Sequence, residues 1–445
     1  MKSSLFNAIY ALKDRHLNTE LKQRIYDGFS WSLAGALVSR ILALLTTIIV
    51  SKEIGRESFG ELAILQSTIA TLGEVAGMGV GLAATKYISE FKLNDPERAS
   101  CITSLCVLIS IIASISLGSL LHFYASETAA YLYNNPTLKG LISICAFTVT
   151  FASMNGVMTS VLRGLEKFKC IAKVNVISGF FSVAAQTVMV LNLGLKGVVY
   201  AILLTQILNF VLIAKELRSS MASENLTFTI RGLSVEIRPF FSFVIPAFLA
   251  SSIVVPVTWF VNILLVNQRD GYSEMGVFNA ANQWRMAILF VPLTIGNVVL
   301  PILSSLVKTG DDRQYLRVLY LNIATSASIS TVLIVLVWAF APYIMHSYGA
   351  AFEGESLVLR VLIIAAGLTA INNVIGQAIA SLGRMWHGFG FNTLWAITLA
   401  SAAYTLAPEY GALGIAVAYT LSYGLHTAIQ FVYLYKNIGR LGGTK

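Results

Sequence analysis

The sequence predicts an all-α integral membrane protein of twelve transmembrane helices, arranged as two parallel-repeat lobes of six helices each. Three observations carry this expectation. The composition is too apolar for a water-soluble globule, basic residues alternate between successive loops, and the chain resembles itself at a shift of about 217 residues.

Of 445 residues, 56% are hydrophobic and 12% charged, and the mean hydropathy is +0.73. Soluble domains carry about a quarter charged residues, so lipid must cover part of this surface. A net charge of +9 suggests nucleic acid in a soluble protein. Here the charge lies in short loops between apolar runs, which points to membrane topology and not to a nucleic-acid partner. Cys101, Cys106, Cys145 and Cys170 lie in or beside apolar segments without metal-ligand or redox spacing, and read as small apolar residues. The five histidines are scattered and no P-loop pattern occurs, so no metal, nucleotide or other cofactor is expected.

A spanning helix needs about 20 mostly apolar residues. Such runs lie near 29–50, 59–85, 101–121, 138–162, 174–192, 194–214, 239–266, 275–303, 318–341, 356–382, 386–406 and 411–435. They divide the chain into a tail (1–28), a first lobe (29–214), a more polar linker (215–238), a second lobe (239–435) and a closing tail (436–445). The first tail, with Asp14, Glu20 and Asp27 among its lysines and arginines, is too polar for a cleaved signal, so span one acts as its own. Leu5, Ile9, Leu12, Leu17, Leu21 and Ile25 fall at helical spacing there, which suits an interfacial helix or a solvated tail. With these spans, 23 Lys and Arg fall in the two tails and every second loop, and five in the remaining loops. The positive-inside rule then places both termini in the cytoplasm.

The repeat is read from landmarks. Asn155-Gly156-Val157 through Leu165-Glu166-Lys167 aligns with Asn372-Asn373-Val374 through Leu382-Gly383-Arg384. Gly194 and Gly197 meet Gly411 and Gly414, and Ala201 and Leu204 meet Ala418 and Leu421. Gly60 meets Gly276 with one residue of slip. Six spans per unit is even, so the halves run the same way through the membrane. In transporters built so, the substrate path lies between halves that rock to alternate its access.

Arg40, Glu74, Arg285 and Arg360 fall inside apolar spans, where each charge costs about 2.5–3.5 kcal/mol unless a partner, a watery cavity or snorkelling recovers it. Arg40 and Glu74 sit near mid-depth on consecutive antiparallel helices and are placed to pair; Glu74 is also the deep carboxylate available for ion coupling. Arg360 lies near its span's end, within snorkelling reach of water. Three arginines against one glutamate leave a cationic surplus, and the planar guanidinium suits phosphate. Gln66, Asn155, Asn262, Asn279, Asn282, Gln283, Asn297, Asn372, Asn373 and Gln377 add amides that serve either sugar hydroxyls or helix–helix adhesion. Pro246, Pro256 and Pro292 are expected to bend spans seven and eight, and Gly73, Gly77, Gly79 and Gly81 to let span two pack closely.

Several stretches resemble the bacterial polysaccharide transporter family, the O-antigen flippases of the multidrug/oligosaccharidyl-lipid/polysaccharide (MOP) exporter superfamily. They are Ile54-Gly55-Arg56 through Phe59-Gly60, Gly79-Val80-Gly81 through Thr85-Lys86-Tyr87-Ile88, Gly276-Val277-Phe278-Asn279-Ala280-Ala281, Leu300-Pro301, Tyr348-Gly349 with Phe352, and Tyr410-Gly411-Ala412 through Gly414-Ile415-Ala416. The likeness covers nearly the whole chain; related lipid II flippases look longer by two spans. It implies a MATE-like fold, an undecaprenyl-diphosphate-linked oligosaccharide as cargo, and polysaccharide assembly proteins as partners beside membrane lipid. It transfers no functional residue, so the charged candidates rest on physics. An ion-coupled exporter of small molecules is the alternative. A membrane glycosyltransferase or polymerase fits less well, because the outward loops near 122–137 and 342–355 are short for a catalytic platform.

Overall fold

A computed structural model describes residues 19–77, 79–229, 236–237, 240–241, 244, 248, 253–309 and 311–441, and no strand occurs among them. Among the described residues, seven helices are long and apolar enough to cross a membrane. Three of these are double. Thr19–Gly77 holds spans one and two, Phe168–Ser223 spans five and six, and Met385–Leu441 spans eleven and twelve. Spans three, four, nine and ten are Pro96–Phe123, Lys139–Gly164, Asp312–Ser347 and Ser356–Ser381. Val254–Val266 belongs to span seven and Gly271–Thr309 is span eight, which completes twelve.

Glycines set the reversals inside the double helices. Gly194 (φ 56°) and Gly411 (φ 52°) adopt a backbone that side-chain-bearing residues avoid. Just beyond them, Cβ atoms on Gly197 and Gly414 would strike the carbonyls of Met189 and Leu406 eight residues earlier. At the first reversal, Ser51 and Phe59 flank Gly55 (φ 78°) and converge on Tyr348, one through a 3.1 Å hydrogen bond and one through ring packing.

The repeat persists in the chemistry of the turns and cores. Asp95 caps span three by accepting from Arg98 N–H at 3.0 Å, and Asp311 caps span nine by accepting from Gln314 N–H at 2.9 Å. Glu166 and Gly383, the matched residues after spans four and ten, share a left-handed backbone (φ 60° and 72°). Asn155 donates to the Gln206 carbonyl (3.0 Å), and its counterpart Asn372 to that of Tyr423 (3.4 Å).

The helix of span six runs on to Ser223, so the first part of the segment read as linker is helical. Beyond it, Thr227 and Thr229 N–H groups reach Ser100 and Ser104 of span three, and Arg98 grips Glu236. Pro256 sits at the third residue of its helix, where the missing N–H has no helical partner to lose, and the span-eight helix continues through Pro292. Pro246 and the candidate interfacial helix up to residue 18 lie outside the described residues.

The apolar interior divides unevenly. One core joins both lobes at the end away from the basic loops, taking Phe59, Leu62 and Tyr133 from the first and Val277, Tyr348 and Phe352 from the second. Toward the basic end the lobes have separate cores. Val80, Ile88 and Val161 lie in one, with Phe240 and Val244 from the start of span seven; Leu303, Tyr315 and Ile379 lie in the other. The outer surface suits lipid. Leu37, Ile41 and Leu45 form an exposed stripe on span one, and exposed aromatics cluster toward both ends, Tyr131, Tyr343 and Tyr404 at one and Trp386 and Tyr435 at the other.

Candidate functional site

The lobes meet at a pair of repeat-related glycines. A Cβ on Gly60 would strike the carbonyl of Tyr272, and one on Gly276 the carbonyl of Arg56. Spans two and eight therefore cross there with backbones in contact, which only glycine permits. Counting down either helix at 1.5 Å per residue, Ser67 and Gln283 lie about 10 Å below the crossing, Arg285 about 13 Å and Glu74 about 21 Å.

Two hydrogen bonds tie the lobes at the 10 Å level. Asn262 of span seven donates to Ser67 (2.9 Å), and Arg40 Nη2 of span one donates to the Gln283 carbonyl of span eight. One residue further down span two, Trp259 reaches Thr68, while at the far end Tyr272 reaches the Tyr133 carbonyl and Asn267 the Leu132 carbonyl. Further toward the basic end, no hydrogen bond joins spans one to six with spans eight to twelve among the described residues. Span seven crosses one flank, where a Cβ on Gly79 would lie 3.1 Å from the Val244 carbonyl. Separate cores on either side, joined by no hydrogen bond among the described residues, mark a gap toward the basic loops.

Glu74 follows Ser67 by seven residues and so shares the face of span two that meets the other lobe. It is exposed, and Cβ atoms on the neighbouring Gly73 and Gly77 would meet nothing within 4 Å. Span two is thus small-faced where the gap opens, while Gly79 and Gly81 pack against Val244 and Ser160, as expected of close packing. The pair of Arg40 with Glu74 is not formed. Arg40 instead spends a donor on a carbonyl of the other lobe, and its buried Nε has no partner.

The remaining arginines take different places. Arg285, 8% exposed, donates to Asn282 (2.8 Å) from the same helix and lies 5.0 Å from the centre of the Tyr419 ring. It is buried without a carboxylate, held by an amide and a π face. Arg360 lies over Trp338 of span nine at 5.7 Å, only five residues from Glu355 at the far end, with Nε buried and unpartnered. It turns toward a peripheral helix and does not join the gap. None of the three forms an ion pair among the described residues.

The amides divide between adhesion and the junction. Asn155 binds both the backbone and side chain of Gln206 inside the first lobe. Asn373 and Gln377 bond each other (2.9 Å) against Gly296, inside the second. Asn262, Asn279 and Gln283 face the junction; Gln283 reaches Asn279 at 3.5 Å, leaving Asn279 Nδ2 and Asn262 Oδ1 buried and unpartnered. Gln66 is half-buried and makes no hydrogen bond among the described residues. Sequence reasoning missed Arg56, which it counted as a loop charge, and Glu274 and Glu355, which clasp it from the other lobe at 2.8 Å each. It also missed Tyr419 and Trp338 beneath the arginines. The position of Arg56, four residues before the matched glycine, was the available signal.

Comparison with known proteins agrees with this architecture. The model of a family described as "Polysaccharide biosynthesis protein" matches residues 25–307. The chain is 25% identical to the EPS I polysaccharide export inner membrane protein EpsE of Ralstonia nicotianae, over 92% of this chain and 94% of that one. It is 21% identical to a protein of Shigella flexneri named as a putative O-antigen transporter, over 88% and 93%. Among solved structures it resembles the inward-facing conformation of a multidrug resistance MATE family transporter of the MOP superfamily (TM-score 0.77, 15% identity, 92% of this chain and 96% of that one). An outward-facing MATE structure superposes with a TM-score of 0.68 at 17% identity, over 95% and 96%. A two-lobed helical membrane protein with the MOP transporter fold, the chain belongs to the polysaccharide biosynthesis protein family.

Proposed function

We propose that this protein is a flippase for a polyprenyl-diphosphate-linked oligosaccharide, carrying it from the cytoplasmic to the outer leaflet of a bacterial inner membrane. The observation that carries this reading is the presence of Arg40 and Arg285 at membrane depth with no carboxylate beside either. Arg40 sits where the lobes join, and Arg285 about half a turn beyond that level, beside the gap toward the basic loops. A guanidinium without an acidic partner attracts a diphosphate by charge and by two parallel hydrogen bonds. Asn262, Asn279, Asn282 and Gln283 add donors and acceptors beside it for sugars, while the prenyl chain stays in lipid. The 23-to-five distribution of basic residues puts the open end and both termini in the cytoplasm. Relatives named for polysaccharide export and O-antigen transport support the cargo.

In a strain lacking the protein, lipid-linked oligosaccharide should accumulate inside and surface polysaccharide should fall; the intact gene should reverse both, and Arg285→Ala, inserted at equal level, should not. Full restoration by Arg285→Ala removes that residue from the path. Glu74, exposed on the face that opens to the gap, is the candidate for ion coupling. It also supports the second reading, an ion-coupled exporter of small molecules, for which the deletion strain becomes drug-sensitive with its surface polysaccharide unchanged.

A further inference from the structure

The far end of the gap is closed by a two-fold exchange of side chains. Arg56 lies one turn before Gly60, and its repeat counterpart Tyr272 one turn before Gly276. Each crosses to the other lobe. The Tyr272 hydroxyl donates to the Tyr133 carbonyl at 2.6 Å, in the loop after span three. Arg56 goes the opposite way and uses its whole fork. Nη2 meets Glu274 at 2.8 Å, Nη1 meets Glu355 at 2.8 Å, and Nε donates to the Ser273 carbonyl at 3.1 Å. The other oxygen of Glu274 accepts from Ala412 N–H at 2.8 Å, at the turn between spans eleven and twelve. One guanidinium thus fastens the first lobe to the start of span eight, the loop before span ten and, through Glu274, the last reversal.

The two halves of the exchange are unequal. A phenol bonded to a carbonyl is one neutral hydrogen bond, whereas a guanidinium between two carboxylates makes charge-assisted bonds roughly twice as strong. Among the described residues, no other ion pair crosses between the lobes. The side chains of Arg56, Glu274 and Glu355 keep 19%, 24% and 30% of their surface exposed. Water therefore reaches both partners when they separate, so the clasp is strong yet releasable. A fully buried pair would leave stranded charges on opening.

We propose that Arg56 is the latch of the far-end gate, and that its release from Glu274 and Glu355 is the step that lets this end open. The proposal rests on the reading that the lobes rock to alternate access. Spin labels on a Cys170→Ser background test it. Tyr131→Cys with Tyr343→Cys reports the far end, and Leu93→Cys with Trp386→Cys the basic end, all at exposed positions. Arg56→Gln should raise the population with a long far-end distance roughly tenfold, the loss of a charge-assisted clasp, with matching shortening at the basic end. Glu274→Gln with Glu355→Gln, which leaves Arg56 intact, should do the same from the other lobe. If lipid-linked oligosaccharide drives exchange between two distance populations, but neither set of substitutions moves their ratio, the latch is wrong and rocking stands. If far-end and basic-end distances never change reciprocally in any of the proteins, rocking itself fails and the latch falls with it.

Discussion

The two ends of the gap are built on different plans. At the far end the lobes share one apolar core, cross at Gly60 and Gly276 without room for a side chain, and exchange Arg56 and Tyr272. At the basic end the lobes have separate cores, with the start of span seven packed into that of the first. There the first lobe ties its loops with Lys92–Glu166 (2.9 Å) and Lys167–Glu224 (2.7 Å), and Tyr315 of the second bonds the Ala378 carbonyl. Strong contacts between lobes at one end and within lobes at the other describe a molecule open to one side. The difference teaches that what fastens the lobes to each other is concentrated at one end, in a shared core and the Arg56 clasp.

Substitutions can break this contrast, and their effects should fall in order. Gly60→Val drives a branched side chain into the Tyr272 carbonyl, where neither backbone can yield. It is expected to cost about 3 kcal/mol or more and to abolish closure of the far end, read by thermal unfolding and the Tyr131–Tyr343 distance. Gly73→Ala, facing open space, is the matched control and should leave both unchanged. Arg285→Ala should lower translocation by roughly 10- to 100-fold with membrane insertion intact, since it removes a guanidinium and not a packing element. Lys92→Met removes a basic-end staple within one lobe. It should cost about 1 kcal/mol in unfolding because Glu166 stays half in water, and leave both inter-lobe distances as they were. Arg360→Ala should be the mildest, with translocation within about twofold of the parent, because its guanidinium rests on Trp338 away from the gap.

Much of the fold was legible because membrane insertion depends on local properties. Apolar runs of sufficient length and the sign of each loop are read one segment at a time, and Gly194 and Gly411 announce their turns by residue type alone. The repeat was visible for the same reason, since Asn155 and Asn372 serve one adhesion role in each lobe. The site was harder. Depth along a helix singled out Arg40, but its partner was read as Glu74 on the adjacent helix, whereas the structure offers a carbonyl more than two hundred residues away. Arg360 has the same sequence signature as Arg285 and faces another way, because rotation about the helix axis is fixed by packing partners such as Trp338 and Tyr419. Arg56 escaped notice since a charge in a loop has no insertion penalty to flag it.

Vesicles carrying a defined polyprenyl-diphosphate-linked oligosaccharide, with the purified protein reconstituted in one orientation, give the most direct test of the central claim. Glycan should move from the leaflet facing the basic loops to the opposite one, read by a lectin or glycosidase outside the vesicle. Arg40→Ala with Arg285→Ala should slow that movement at least tenfold, and a neutral prenyl glycan lacking phosphate should not move at all. Equal rates for the parent and the double variant, or for the diphosphate and neutral lipids, would contradict a guanidinium-lined path.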